Sequence, residues 1–181
     1  MILDKKNDLI VMIDMVNGFS YEGAFASDNV VAMIAPMREF LIANIKNGVE
    51  IIHYTDHHPE NALEFNTYPV HCVEGSNEAR VITDLDFEEI EIIKKNSTNG
   101  FMAKNPFIYE KNLYIIGCVT DICIFEFALS AQKYREEHML PYTVNIINDL
   151  TTTFDGPDHD AKKIHEEFID FLKTRGINII Y

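Results

Sequence analysis

Leu113-Tyr114-Ile115-Ile116-Gly117-Cys118-Val119-Thr120-Asp121-Ile122-Cys123 passes from an apolar strand, through a glycine exit, into a turn that opens a helix from about Ile122 to Glu137. A short apolar run bounded by a turn signal is the pattern of a strand covered on both faces. Leu9-Ile10-Val11-Met12-Ile13, closed by Asp14, reads the same way, and Val49–Tyr54, Ile90–Ile93, Thr143–Ile147 and Ile177–Tyr181 complete a set of six strands. Helical stretches lie between them, from about Val30 to Lys46, where Asn47-Gly48 is a C-cap signal, and from about Pro157 to Thr174. Strands alternating with helices predict an α/β fold, a three-layer α/β/α sandwich around a mainly parallel six-stranded sheet, Rossmann-like in outline. The stretch from Thr55 to Ser76 has no periodicity, and loops of that length in a folded domain are usually functional.

The chain has 181 residues, 47% apolar and 24% charged, which is expected to form one domain over 1–181. Its net charge of −14 argues against nucleic acid, whose phosphates need clustered Lys and Arg, and against anionic membrane surfaces. No apolar run approaches the roughly 18 residues needed to span a bilayer, and Met1–Lys6 lacks the order of a signal peptide. The expected localisation is cytoplasmic, and three cysteines (Cys72, Cys118, Cys123) fit reduced thiols better than a disulfide framework.

In parallel sheets ligands bind beyond the carboxyl ends of the strands. Asp14 follows the first strand, Asp56 the second and Lys95 the third, and Cys123 lies just past the fourth. A thiol in the first turn of a helix faces unpaired N–H groups and the positive dipole end, which favour a thiolate and can receive an oxyanion. Most free cysteines are small buried hydrophobes, the reading for Cys118 and Cys72. A nucleophilic thiol needs a proton acceptor and usually a cation. Asp14, ending a very apolar strand, suits the first part, and desolvation there raises a carboxyl pKa. The cation is Lys94 or Lys95, between which position alone does not choose.

Tyr54-Thr55-Asp56-His57-His58-Pro59-Glu60-Asn61-Ala62-Leu63-Glu64-Phe65 carries an Asp-x-His pair and a nearby Glu, and Tyr68-Pro69-Val70-His71-Cys72-Val73-Glu74-Gly75 adds another His. Imidazole with carboxylate suits Zn²⁺, Mn²⁺ or Fe²⁺, although a polar loop with three histidines can also be no more than that.

Together these segments resemble the isochorismatase-like cysteine hydrolases, and among them the nicotinamidases, over nearly the whole chain. Ile13-Asp14-Met15-Val16-Asn17-Gly18-Phe19 is similar to the family's first motif, Lys95 through Phe101 to its second, and Gly117 through Cys123 to its third. The resemblance implies an Asp14–Lys95–Cys123 triad, choosing Lys95 over Lys94. It also implies a cis peptide at Cys118–Val119 and an oxyanion hole from the N–H groups of Val119 and Cys123. A divalent metal, most often zinc with manganese or iron as alternatives, would be held by Asp56, His58 and His71 with Glu64 or water completing the set. Phe19 and Tyr68 would flank the substrate ring; many relatives have Trp where Tyr68 stands, and this chain has none. The implied activity is hydrolysis of a small amide, nicotinamide first, through a cysteine thioester, in a homo-oligomer without an organic cofactor. An isochorismatase-type vinyl-ether hydrolase and a catalytically idle binding module are the alternatives.

Other polar residues read as structural. His159 and His165 look like surface or cap residues, His138 like a cation at a helix C-terminus, and His53 like a satisfied core group. Asp121 is expected to order the turn before Cys123 through local backbone bonds.

Overall fold

The computed structural model describes residues 1–181. Six strands, β1 (Asp8–Ile13), β2 (Glu50–Asp56), β3 (Ile90–Lys95), β4 (Asn112–Cys118), β5 (Val144–Thr152) and β6 (Asn178–Ile180), form one sheet in the order β3-β2-β1-β4-β5-β6, with every neighbouring pair parallel. After a one-turn helix α1 (Asn17–Ser20), the long helices are α2 (Asp28–Asn47), α3 (Phe125–Glu137) and α4 (Ala161–Lys173). No helix is long and apolar enough to cross a membrane.

The period-2 geometry of β1 explains the three layers. Ile10 and Met12 join the core that includes Val30, Met33, Ile34, Met37 and Leu41 of α2. Leu9, Val11 and Ile13 join a second core with Phe127, Ala128 and Ala131 of α3 and Ile169 and Leu172 of α4. Both faces of the strand are therefore apolar, and none of its residues is exposed.

The chain winds outward from β1 through β2 to β3, then returns to the other side of β1 as β4. That reversal leaves a crevice beyond the carboxyl ends of β1 and β4, where parallel sheets bind ligands. Gly117 lets the two strands meet there. Its φ is +119°, and a Cβ at this position would lie 2.1 Å from the Ile13 carbonyl oxygen.

Several boundaries differ from the sequence reading. Cys123 lies in a π-helical turn, Thr120–Ile124, and α3 proper begins only at Phe125. β5 runs on to Thr152, through a register irregularity opposite Ile115–Gly117 of β4. α4 starts at Ala161 and not near Pro157, because the Asp160 side chain caps it by accepting from the Lys163 N–H at 2.9 Å, while Gly156 and His159 close a tight turn ahead of it.

Candidate active site

β1 delivers Asp14 to the crevice in a left-handed conformation (φ +52°). The turn is held from two sides: the Met15 N–H donates to His53 Nε2 at 3.1 Å, and the Cys118 thiol donates to the Asp14 carbonyl at 3.2 Å. The Asp56 N–H, at the end of β2, donates to Asp14 Oδ1 at 2.9 Å, fixing the carboxyl plane. Asp14 Oδ2 makes no hydrogen bond of good angle and has the Lys95 ammonium 2.9 Å away. Burial and the neighbouring Asp56 carboxylate raise Asp14 to about 7, against the pull of Lys95.

Lys95, the last residue of β3, is buried and enclosed by acceptors. It pairs with Asp14 and Asp56, donates to the Ser97 carbonyl at 3.1 Å and lies 3.9 Å from Cys123 Sγ. Burial pushes its pKa down, but the two carboxylates more than offset this and keep it charged. Lys94, the other candidate, is exposed and paired with Glu74 at 3.1 Å. Cys123 is also buried, and Asp14, Asp56 and Cys123 each bring a side-chain atom within 4.8 Å of the others. Burial raises the Cys123 thiol well above its ordinary value despite Lys95. The resting sulfur is a thiol that needs a base beside it, more than a helix terminus. The Cys118–Val119 peptide is cis, as the resemblance implies.

Asp56 belongs to two groups at once. One carboxylate arm meets Lys95; the same residue also faces His58 Nε2 at 3.5 Å and His71 Nε2 at 3.4 Å. Glu64 stands 3.9 Å from His58 Nε2 and 3.7 Å from His71 Nε2. These separations are long for hydrogen bonds but close to the ~3.4 Å edge of a tetrahedron of ligands ~2.1 Å from one cation. The outer nitrogens orient the rings: His58 Nδ1 lies 3.0 Å from Asn96 Oδ1 and His71 Nδ1 2.8 Å from the Pro69 carbonyl. Each Nδ1 therefore carries its hydrogen outward and leaves the Nε2 lone pair pointing inward, the arrangement metal-binding histidines use. His58 Nε2 is buried with no hydrogen-bond partner. The donor set thus fits a divalent metal, with Asp56, His58, His71 and Glu64 as the residues that could hold it. The Lys95 ammonium and the histidines overcome the effect of burial on Asp56 and hold its carboxyl well below the usual range, so it is an anion ready to bind a cation.

Both groups open into a cleft of about 310 Å³, its mouth included, lined by Phe19, Phe25, Asp56, Glu64, Tyr68, His71, Thr98, Val119, Ile122, Cys123 and Phe154. Phe19 and Tyr68 both line this cleft, and Phe25 sits between: it stacks on Phe19 (5.9 Å, 11°) and meets Tyr68 and His71 edge-on at 6.2 and 4.9 Å. Phe25, Thr98 and Phe154 escape a sequence reading because they lie on connections where periodicity says nothing, and Ile122 because it lies in the π-helical turn where the sequence shows only the start of a helix. Phe154 is hidden for a further reason: the strand before it reads from sequence as ending at Ile147, whereas β5 runs on to Thr152. Phe154 lies just beyond the end of β5, on the same carboxyl edge as Asp14, Asp56 and Lys95.

The chain is similar to known proteins in sequence and in fold. The chain is 26% identical over 180 residues to nicotinamidase 1 of Arabidopsis thaliana, covering 86% of this chain and 73% of that relative. It superposes on the zinc-bound pyrazinamidase of Pyrococcus horikoshii with a TM-score of 0.78, at 25% identity, covering 96% of this chain and 98% of the other. A likeness of fold extends to N-carbamoylsarcosine amidase from Thermoplasma acidophilum (TM-score 0.78, 20% identity, 96% and 95% of the two chains). Residues 8–165 match the isochorismatase domain, and the chain belongs to that family.

Proposed function

We propose that this chain hydrolyses nicotinamide, or a closely related pyridine carboxamide, to the carboxylate and ammonia through a thioester on Cys123. The observation that carries the proposal is the sharing of Asp56 between the Asp14–Lys95–Cys123 cluster and the His58–His71–Glu64 cluster at the floor of one aromatic cleft. The first cluster supplies acyl transfer, and the second, with the His58 and His71 nitrogens 3.5 and 3.4 Å from the same Asp56 carboxylate, supplies a fixed point for a ring heteroatom.

Asp14, raised to about 7, takes the Cys123 proton as Sγ attacks the amide carbon. Lys95 stays protonated and stabilises the negative charge passing between sulfur and Asp14. The backbone N–H groups of Val119 and Cys123, on the turn opened by the cis peptide, receive the oxyanion. Asp14 then returns the proton to the departing ammonia, and afterwards takes a proton from the water that cleaves the thioester. A divalent metal bound by Asp56, His58, His71 and Glu64 supplies a Lewis acid for the pyridine nitrogen, with zinc the best match to this donor set. Phe19, Phe25 and Tyr68 provide flat apolar walls for the ring. The lining has no Arg or Lys to receive a carboxylate, which speaks against a vinyl-ether diacid as substrate.

Ammonia release from nicotinamide, pyrazinamide and benzamide, with and without chelator, tests the proposal. Nicotinamide and pyrazinamide should turn over and benzamide, which lacks the ring nitrogen, should lag by ~100-fold, a gap that chelation narrows. Full activity in Cys123→Ala, or no release from any of the three amides, would sink it.

A further inference from the structure

The sequence reading makes Asp121 a local turn former and His159 a surface or cap residue; the structure ties them together across 38 positions. His159 Nε2 lies 2.9 Å from Asp121 Oδ2, and His159 Nδ1 lies 2.8 Å from the Phe154 carbonyl oxygen. The Thr153 hydroxyl donates to the other Asp121 oxygen. The His159 ring lies flat on the Phe154 ring, 4.2 Å between centroids and 6° from parallel. A backbone carbonyl and a carboxylate both accept, so both ring nitrogens must donate, and an imidazole with two N–H groups is a cation.

The geometry points to Asp121 and His159 as a positioning pair that clamps Phe154 as one wall of the cleft and thereby sets the affinity for the substrate ring. This rests on the reading of the cleft as a pyridine-carboxamide site. Three features support it. Phe154 is half-buried and lines the cleft, but packs on the other wall only loosely, 6.4 Å from Phe25 and tilted by 50°. Its outer face is therefore the one that is fixed, by a ring that is both stacked and hydrogen-bonded. Asp121 lies in the same π-helical turn as Cys123, two residues earlier, so the pair registers the wall against the nucleophile. The loop also has a separate anchor: Asn29 donates to the Thr153 carbonyl at 3.1 Å and to Asp155 Oδ2 at 3.0 Å. Loss of the pair should free Phe154 without unravelling the loop.

The clamp depends on protonation. The charged groups around the ring are Asp121 from the cysteine turn, Asp155, Asp158 and Asp160 from its own loop, and Lys163 from the first turn of α4. Burial pulls the His159 pKa down, but the Asp121 and Phe154 hydrogen bonds more than offset that and raise it. A neutral ring has one N–H and cannot serve both partners, so Phe154 is released as pH climbs through the His159 pKa.

The test combines imidazole NMR on the native protein with kinetics of His159→Phe, which keeps a flat ring on Phe154, and Asp121→Asn. At about pH 7 both His159 nitrogens should be protonated, and each variant should raise KM for nicotinamide ~10-fold while kcat falls less than ~3-fold. Wild-type KM should rise at alkaline pH, and that of His159→Phe should not follow it. A His159 ring that is neutral at pH 7, or a KM and pH profile unchanged in His159→Phe, overturns the pair. Wild-type protein that releases no ammonia from nicotinamide removes the substrate reading alone, and the imidazole resonances still decide the pair.

Discussion

Lys95 is the residue on which the site's electrostatics turn. Two buried carboxylates, Asp14 and Asp56, face each other through one ammonium, and neither is more than 1% exposed. Removing one partner from a buried ion cluster leaves the remaining charges without compensation, which costs far more than the cluster contributes when whole. Lys95→Met should therefore lower stability by about 3–5 kcal/mol in urea denaturation and reduce amide hydrolysis at least ~100-fold. Lys95→Arg should not restore activity, because a planar guanidinium cannot reach Asp14, Asp56 and the Ser97 carbonyl from one nitrogen. An unchanged urea midpoint for Lys95→Met would contradict this account of the cluster.

At the scale of elements, the β1–β4 junction governs how closely the two halves of the triad approach. Gly117→Ala would place a methyl 2.1 Å from the Ile13 carbonyl, against backbone that cannot rotate away, so the strands must part. The expected result is a loss of ~3 kcal/mol or more, measured by thermal unfolding, with activity falling further than stability explains. His53, on β2, braces the same junction. Burial, aided by the Lys95 charge, lowers its pKa from 6.5 to about 3, so the ring is neutral in the fold. A depressed folded pKa means that this contribution is fully present above pH 6.5 and is lost as pH falls toward 3. Wild-type stability should then fall by up to ~1.4 kcal/mol per pH unit more steeply than that of His53→Gln across this window, as read by urea denaturation. Parallel slopes would show that His53 does not titrate with unfolding.

The same elements show what a sequence can and cannot carry. All six strands are legible because each is a short run rich in apolar residues, and the carboxyl-edge rule then collects Asp14, Asp56, Lys95 and Cys123 without any structure. Choosing Lys95 over Lys94 took a family motif, because one residue of register decides which lysine is buried and no local property differs between them. The π-helical turn at Cys123 was beyond reach: the sequence reads as a turn that opens an ordinary helix at about Ile122, and the tertiary bonds from Asp121 to Thr153 and His159 are long-range. Phe25 lies in an aperiodic loop, and only the assembled cleft reveals its place between Phe19 and Tyr68.

At the scale of the whole molecule, the net charge of −14 sets a negative field around the cleft, outside the Lys95 ammonium and the divalent metal that Asp56 and Glu64 would hold. That field bears on how the product leaves. The proposed substrate arrives neutral and crosses the field at little cost, whereas the product is a carboxylate and is repelled once it clears the cationic groups of the site. The field therefore favours release of the product without altering the equilibrium of the reaction. Its signature is an inverted salt response: screening should leave KM for nicotinamide nearly unchanged while nicotinate becomes the stronger inhibitor, because added ions quieten the repulsion that ejects it.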